Sequence, residues 1–228
     1  MHLGPAGDAM KERPILFSAP MVRAILEGRK TVTRRPVKGD QIPKENADES
    51  GRLRWTAIGQ KDARYGFLVA GSTAEECAAE LVTYGACPYG HCGERLWVRE
   101  SLGYGCEYGH YFAAGGTHGE TVYLCSLFDN EETQTGYSYD GLLPERSVPS
   151  IHLHRRYSRI LLEITDVRIE RLQDIGREGC IAEGPDFPVS GHLERAWHVQ
   201  FQRLWESTGG DWNANPWVWV VEFKRVTP

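Results

Sequence analysis

The strongest constraint on the fold is one run of alternating residues in the last third of the chain. From Leu162 to Leu172, in LEITDVRIERL, polar and apolar side chains take turns. Successive strand residues point to opposite faces, so this pattern describes a half-buried strand. Residues 217–226, WVWVVEFKRV, give a second strand that is expected to close the same sheet. Two long strands near the C-terminus need partners from earlier in the chain.

The most organised early stretch, residues 14–35, supplies them. Pro14 to Phe17 reads as a short buried strand. Ser18 is placed to cap a two-turn helix with Pro20 in its first turn. Met21, Ala24 and Ile25 recur at helical spacing, and Gly28 stops the helix. Thr31-Val32-Thr33 is β-branched throughout and leaves as a strand. In residues 93–100, GERLWVRE, a turn feeds a strand with Leu96 and Val98 on one face and Arg95, Trp97 and Arg99 on the other. Tyr108–Ala114 and Thr121–Leu127 predict a further strand pair. Asp174 is placed to cap a short helix running to Glu183 and ended by Gly184-Pro185. Ser190 is placed to cap a longer helix carrying Trp197, Phe201, Leu204 and Trp205, which with Trp217 and Trp219 read as core.

Between these elements lie two stretches of different texture. Residues 36–90 begin polar and rich in turns, with no sustained period beyond one short helix over Ala74–Tyr84. Residues 101–150 carry a second polar segment. Both read as insertions, the first partly disordered. Residues 1–13 form a tail, and 14–228 one α+β domain: a small mixed β-barrel with short flanking helices.

Composition excludes several functional classes. The chain has 228 residues, 26 Lys and Arg against 31 Asp and Glu, and a formal net charge of −5. A protein of that balance does not coat nucleic acid or membrane through a generally cationic surface. No apolar run approaches the roughly 20 residues of a helical span, and no membrane partner is expected. Met1–Met10 lacks the charged start and apolar centre of a secretory signal. The six cysteines are then expected as reduced thiols, and the cytoplasm as the compartment.

The local charge is less even. Arg29, Lys30, Arg34, Arg35 and Lys38 form a basic run without an acid among them. His152, His154, Arg155, Arg156 and Arg159 form a second cluster before the long strand. Both suit phosphate, and arginine offers bidentate geometry. Arg29, Thr31, Arg34, Arg35, Arg99, Arg155, Arg156 and Arg159 are the candidate ligand contacts, with Tyr157, Trp97 and Trp55 available to stack a base. Alternatively, the clusters are solvated faces that balance the acids at 45–49 and 129–132. Cys87, Cys92, Cys106 and His110 are four potential zinc ligands, but buried free thiols are the commoner meaning of such spacing. No metal and no cofactor are expected.

Four ordered pieces resemble the ASCH domain, a family related to the PUA-like β-barrels. They are GRKTVTRR at 28–35, the GERLWVRE strand, the 159–184 strand–helix unit with Ala182-Glu183-Gly184, and the terminal strand with Val221-Glu222-Phe223. The resemblance covers about half the chain and implies a PUA-like barrel that binds a nucleoside, a nucleotide or RNA. One bacterial branch of that family hydrolyses the amide of N4-acetylcytidine with a Lys, a Thr three residues later and a distant Glu. Matching the motif places these roles on Lys30, Thr33 and Glu183. A non-catalytic RNA- or modified-base-binding module and a metal-independent ribonuclease are the alternative functions.

The chemistry is coherent on elementary grounds. A threonine hydroxyl needs a base, and a lysine serves if burial or neighbouring cations lower its pKa. Arg29, Arg34 and Arg35 crowd Lys30, and a tight corner brings Thr33 within hydrogen-bond reach. Equally consistent is Glu183 as base for a water, with Lys30 polarising the carbonyl. The plain structural alternative is a Lys30–Glu183 salt bridge pinning the corner, with Thr33 an ordinary strand residue.

Overall fold

The computed structural model describes residues 11–47, 50–60, 65–125, 143–185 and 196–226. They form an α+β protein around a five-stranded sheet. Its strands are β1 (Glu12–Leu16), β2 (Val32–Pro36), β6 (Arg95–Arg99), β9 (Leu161–Arg171) and β10 (Trp217–Val226), in the order β1-β6-β9-β10-β2. β1 and β6 are parallel and the other neighbours antiparallel. The terminal strand therefore lies inside the sheet, between β9 and β2. Its near-continuous apolar run follows from that position. Trp217, Trp219, Val221 and Phe223 enter one core, while Val218 and Val220 enter a second on the opposite face.

The alternation in β9 runs in two phases. Its register against β10 shifts where Glu222 pairs with Asp166 and Phe223 with Ile164, leaving Thr165 as an extra residue. Leu162 and Ile164 before it, and Val167 and Ile169 after it, face the same core. Two successive polar residues, Thr165 and Asp166, mark the bulge in the sequence.

α1 (Ala19–Leu26) covers the first core with Val22 and Ile25, and Gly28 at φ +75° turns the chain out of it. Ser18 holds the N-cap position with extended backbone but without a side-chain capping bond.

Residues 36–90, expected as an insertion, hold a folded antiparallel meander. Its strands are β3 (Lys44–Ala47), β4 (Leu53–Gln60) and β5 (Gly66–Gly71), followed by α2 (Ala74–Thr83), which packs on β4, β5 and β9. Ala57 and Val69 face the first core, with Trp55 and Phe67 beside them. Small residues hide this pattern from a hydropathy reading. A Cβ on Gly59 would lie 2.4 Å from the Phe67 ring, so glycine there lets the aromatic lie across the strand. Within 101–150, β7 (Leu102–Gly105) and β8 (Gly109–Phe112) form a hairpin. The expected pairing of 108–114 with 121–127 reduces to one bridge, Tyr111 to Tyr123. Most of the second polar segment lies outside the described residues.

α3 spans Arg177–Ala182 with Gly176, not Asp174, at its N-cap; Asp174 ends a separate turn of 3-10 helix. α4 (Ala196–Ser207) buries Phe201 and Trp205 against Val218 and Val220; Ser190, its expected cap, lies outside the described residues. No helix among the described residues is long and apolar enough to cross a membrane.

Candidate active site

The corner between α1 and β2 is tied to the end of α3 by backbone first. Lys30 and Glu183 form an antiparallel bridge, and the Thr31 N–H donates to Ala182 O at 2.9 Å. On its other side Thr31 O accepts from Phe223 N–H at 2.9 Å, which fastens the corner to β10. Gly184 follows at φ +73°, where a Cβ would sit 2.7 Å from that of Lys30 and 2.9 Å from that of Ala24. Only glycine allows the approach. Arg29 clamps the outside, donating to Gly184 O at 2.7 Å while pairing with Glu27.

Side chains complete what the backbone begins. The Lys30 ammonium donates to Glu183 Oε2 at 2.6 Å, Val32 O at 2.8 Å and Glu183 O at 3.0 Å. Three donors meet three acceptors, and both side chains are at most 5% exposed. Arg34 continues the chain of charges. Its Nη1 donates to Glu183 Oε1 at 3.2 Å, and Nε and Nη2 donate to Glu170 Oε1 at 3.0 and 2.8 Å. Removing two ions from water is costly, and such a pair persists only when its remaining donors and acceptors are satisfied, as here. Burial drives the Lys30 pKa down from its ordinary value, against the pull of the Glu183 carboxylate. The shift is the one a lysine needs to act as a base or to give up a proton.

Lys30, Thr33, Arg34, Arg35 and Glu183 all border one cleft of about 380 Å³. Phe17 and Tyr89 join them from the first core, and Phe201, Leu204 and Trp205 from α4. The sequence does bring together the three residues to which the chemistry was assigned, with one difference. The protons of Lys30 go to Glu183 and Val32, so no direct Lys30–Thr33 hydrogen bond forms. The aromatic lining was missed because Trp205 and Phe201 also pack in the second core, and a sequence cannot distinguish a core residue from one that also walls a cleft. Glu170 carried no signal either, since its role depends on strand register.

The other expected contacts stand elsewhere. Thr31 is exposed and fixed through its backbone. Arg159 makes a bidentate pair with Glu100 at 2.9 and 2.8 Å and lies 4.1 Å over the Phe112 ring. Arg155 pairs with Glu12, Arg99 donates to Leu153 O and stacks on Trp97, and Arg156 stacks on Tyr157. None of these four arginines borders the cleft, nor do Trp55, Trp97 or Tyr157. The four potential zinc ligands are not gathered. Cys87 is buried, with its thiol pushed up to about 11 by burial, Cys92 donates to Thr165 O, and His110 lies beside Pro144 O and Arg146 O. Among the described residues no three His, Cys, Asp or Glu side chains form a group that can hold a metal ion.

Comparison of the chain with protein-family models, curated proteins and solved structures gave no match.

Proposed function

We propose that this protein is an ASCH-type amidohydrolase acting on N4-acylated cytidine through Lys30, Thr33 and Glu183. The observation that carries the reading is the convergence of these residues, with Lys30 and Glu183 153 positions apart in the sequence, on one cleft around a buried 2.6 Å ion pair. A PUA-like barrel is part of the proposal. The edges of the five-stranded sheet, β1 and β2, are linked by Arg35 donating to Leu16 O at 2.7 Å, which supports a sheet curled toward closure.

Of the two arrangements open in the sequence, the hydrogen bonds favour Glu183 as base for a water, with Lys30 here donating a proton to the leaving group instead of polarising the carbonyl. Glu183 takes a proton from a water as its oxygen attacks the acyl carbon. Lys30 delivers a proton to the departing N4 as the C–N bond breaks, giving cytidine and a carboxylic acid. The proton on Glu183 then returns to Lys30 across their short contact, which restores the pair. The Thr33 hydroxyl borders the same cleft and donates to the developing oxyanion. The aromatic side chains hold the pyrimidine and exclude bulk water.

The test is incubation of the protein with N4-acetylcytidine, with chromatography of the products. Cytidine and acetate are expected, and Lys30→Met and Glu183→Gln should each lower kcat by about 100-fold or more. Mass spectrometry should find no acyl group on Thr33. Absence of turnover at micromolar enzyme overturns the reading. Cleavage of labelled RNA by the same preparation, without added metal, points instead to the ribonuclease.

A further inference from the structure

The cations around the cleft are not used alike. Lys30 and Arg34 spend their donors on Glu183, Glu170 and backbone oxygens. Arg35 and Lys38 border the same cleft, and neither forms an ion pair with a carboxylate among the described residues. Arg35 is half-buried, with its guanidinium 5.4 Å from the Phe17 ring centre and Nη2 held by Leu16 O. Its Nε is sealed from solvent without a partner. A cation held this way carries part of the desolvation cost of burial without a counter-ion to offset it. Tyr89 adds a hydroxyl to the same lining. Burial raises its pKa against the pull of Arg35, which keeps it protonated as a donor.

The geometry points to Arg35 and Lys38 as the seat of a phosphate monoester, so that the cleft takes a cytidine monophosphate in preference to the free nucleoside. This inference rests on the cytidine reading above and names the form of the substrate. Two unneutralised cations match the charge of a phosphate monoester, about −1.5 to −2 at neutral pH, better than the single charge of a diester or carboxylate. With Nε sealed and Nη2 shared with Leu16 O, Arg35 offers phosphate oxygens its remaining Nη hydrogens, while lysine at an exposed rim acts as a point charge. Arg34, which the sequence offers as an equal candidate, is excluded by its bonds to two glutamates. The aromatic residues then receive the base, with Lys30 and Glu183 at its N4 substituent.

Equilibrium binding tests this without any chemical step. Cytidine, cytidine 5′-monophosphate, cytidine 3′-monophosphate and a cytidine dinucleotide with only a diester are titrated in turn, by calorimetry and by tryptophan fluorescence. One monophosphate is expected to bind about tenfold or more tighter than cytidine, the effect of one good hydrogen bond between ionised groups. The gain should shrink as salt rises and fall by about threefold or more in both Arg35→Gln and Lys38→Gln. Circular dichroism checks the fold of Arg35→Gln, and Lys38 is exposed, so its substitution keeps the test open if Arg35→Gln is unfolded. Affinities within twofold across the series, no binding by any of the four, or a preference that survives both substitutions overturns the assignment. A dinucleotide binding tighter than either monophosphate also overturns it and identifies a polymer as the ligand. Monophosphate preference without turnover of either N4-acetylcytidine or its preferred monophosphate refutes only the amidohydrolase. Turnover without that preference refutes only the phosphate seat.

Discussion

Removing Glu183 while keeping Lys30 separates a buried ion pair from a lysine that burial alone already unsettles. In Glu183→Gln the ammonium keeps the Val32 and residue-183 backbone oxygens as acceptors and loses the one carboxylate that it pairs with among the described residues. Deleting one partner of a buried pair costs about 3–5 kcal/mol, most of it from the charge left behind. Two backbone acceptors remain within 3.0 Å of Nζ, and the lysine can shed its proton. The lower end, about 3 kcal/mol near neutral pH, is therefore expected. The sign with pH follows from the direction of the Lys30 shift. Its folded pKa lies below the unfolded value, so between the two the unfolded chain holds more protons and stability rises with pH. Losing Glu183 removes the attraction that opposes burial, lowers the folded pKa further and widens that window downward. The cost of Glu183→Gln should thus be smaller at about pH 9.5 than at about pH 7, both below the ordinary lysine pKa. Urea unfolding at both pH values, with unchanged m, measures it. An equal loss at the two pH values, or a loss below about 1 kcal/mol at the lower one, refutes the argument.

Gly184→Ala puts a Cβ within 3 Å of both Lys30 and Ala24 at a left-handed φ, and should cost about 2–4 kcal/mol by urea unfolding while disturbing the cleft. Gly59→Ala meets the Phe67 ring at 2.4 Å, so a loss of about 1–3 kcal/mol is expected, with turnover unchanged because the meander does not border the cleft. Glu100 is a buried acid whose pKa burial raises despite the Arg159 guanidinium, so the folded state holds its proton longer than the unfolded one. Stability should accordingly fall as pH rises from the ordinary carboxylate range through the raised one, and Glu100→Gln should lack that decline in thermal unfolding followed against pH.

The parts of the molecule legible in the sequence are those where one periodicity dominates. Leu162 and Ile164, or Leu96 and Val98, announce their face directly, and Gly28 announces the end of α1. The meander in 36–90 was illegible because its inward positions are filled by Gly59, Ala57 and Gly71 as often as by large residues, so packing falls to Val69, Phe67 and Trp55. The site was half legible. Lys30 and Thr33 sit in a conspicuous basic run, and Glu183 precedes a glycine that signals a close approach. Arg34 and Arg35 are identical in sequence terms, yet one is consumed by Glu170 and Glu183 and the other left without a counter-ion. Strand alternation and register decide that difference, and neither is encoded in the two residues themselves.

Thr165 carries a consequence out of proportion to its size. Were Thr165 paired in plain alternation instead of bulged out, Glu170 would turn to the face of Trp217 and Trp219 and leave Arg34 with Glu183 alone. The bulge is therefore a parity switch: it sets the face taken by the outer anchor of the Arg34–Glu183 contact, and deleting Thr165 itself, which leaves the pairs on both sides in register, should keep that anchor in place.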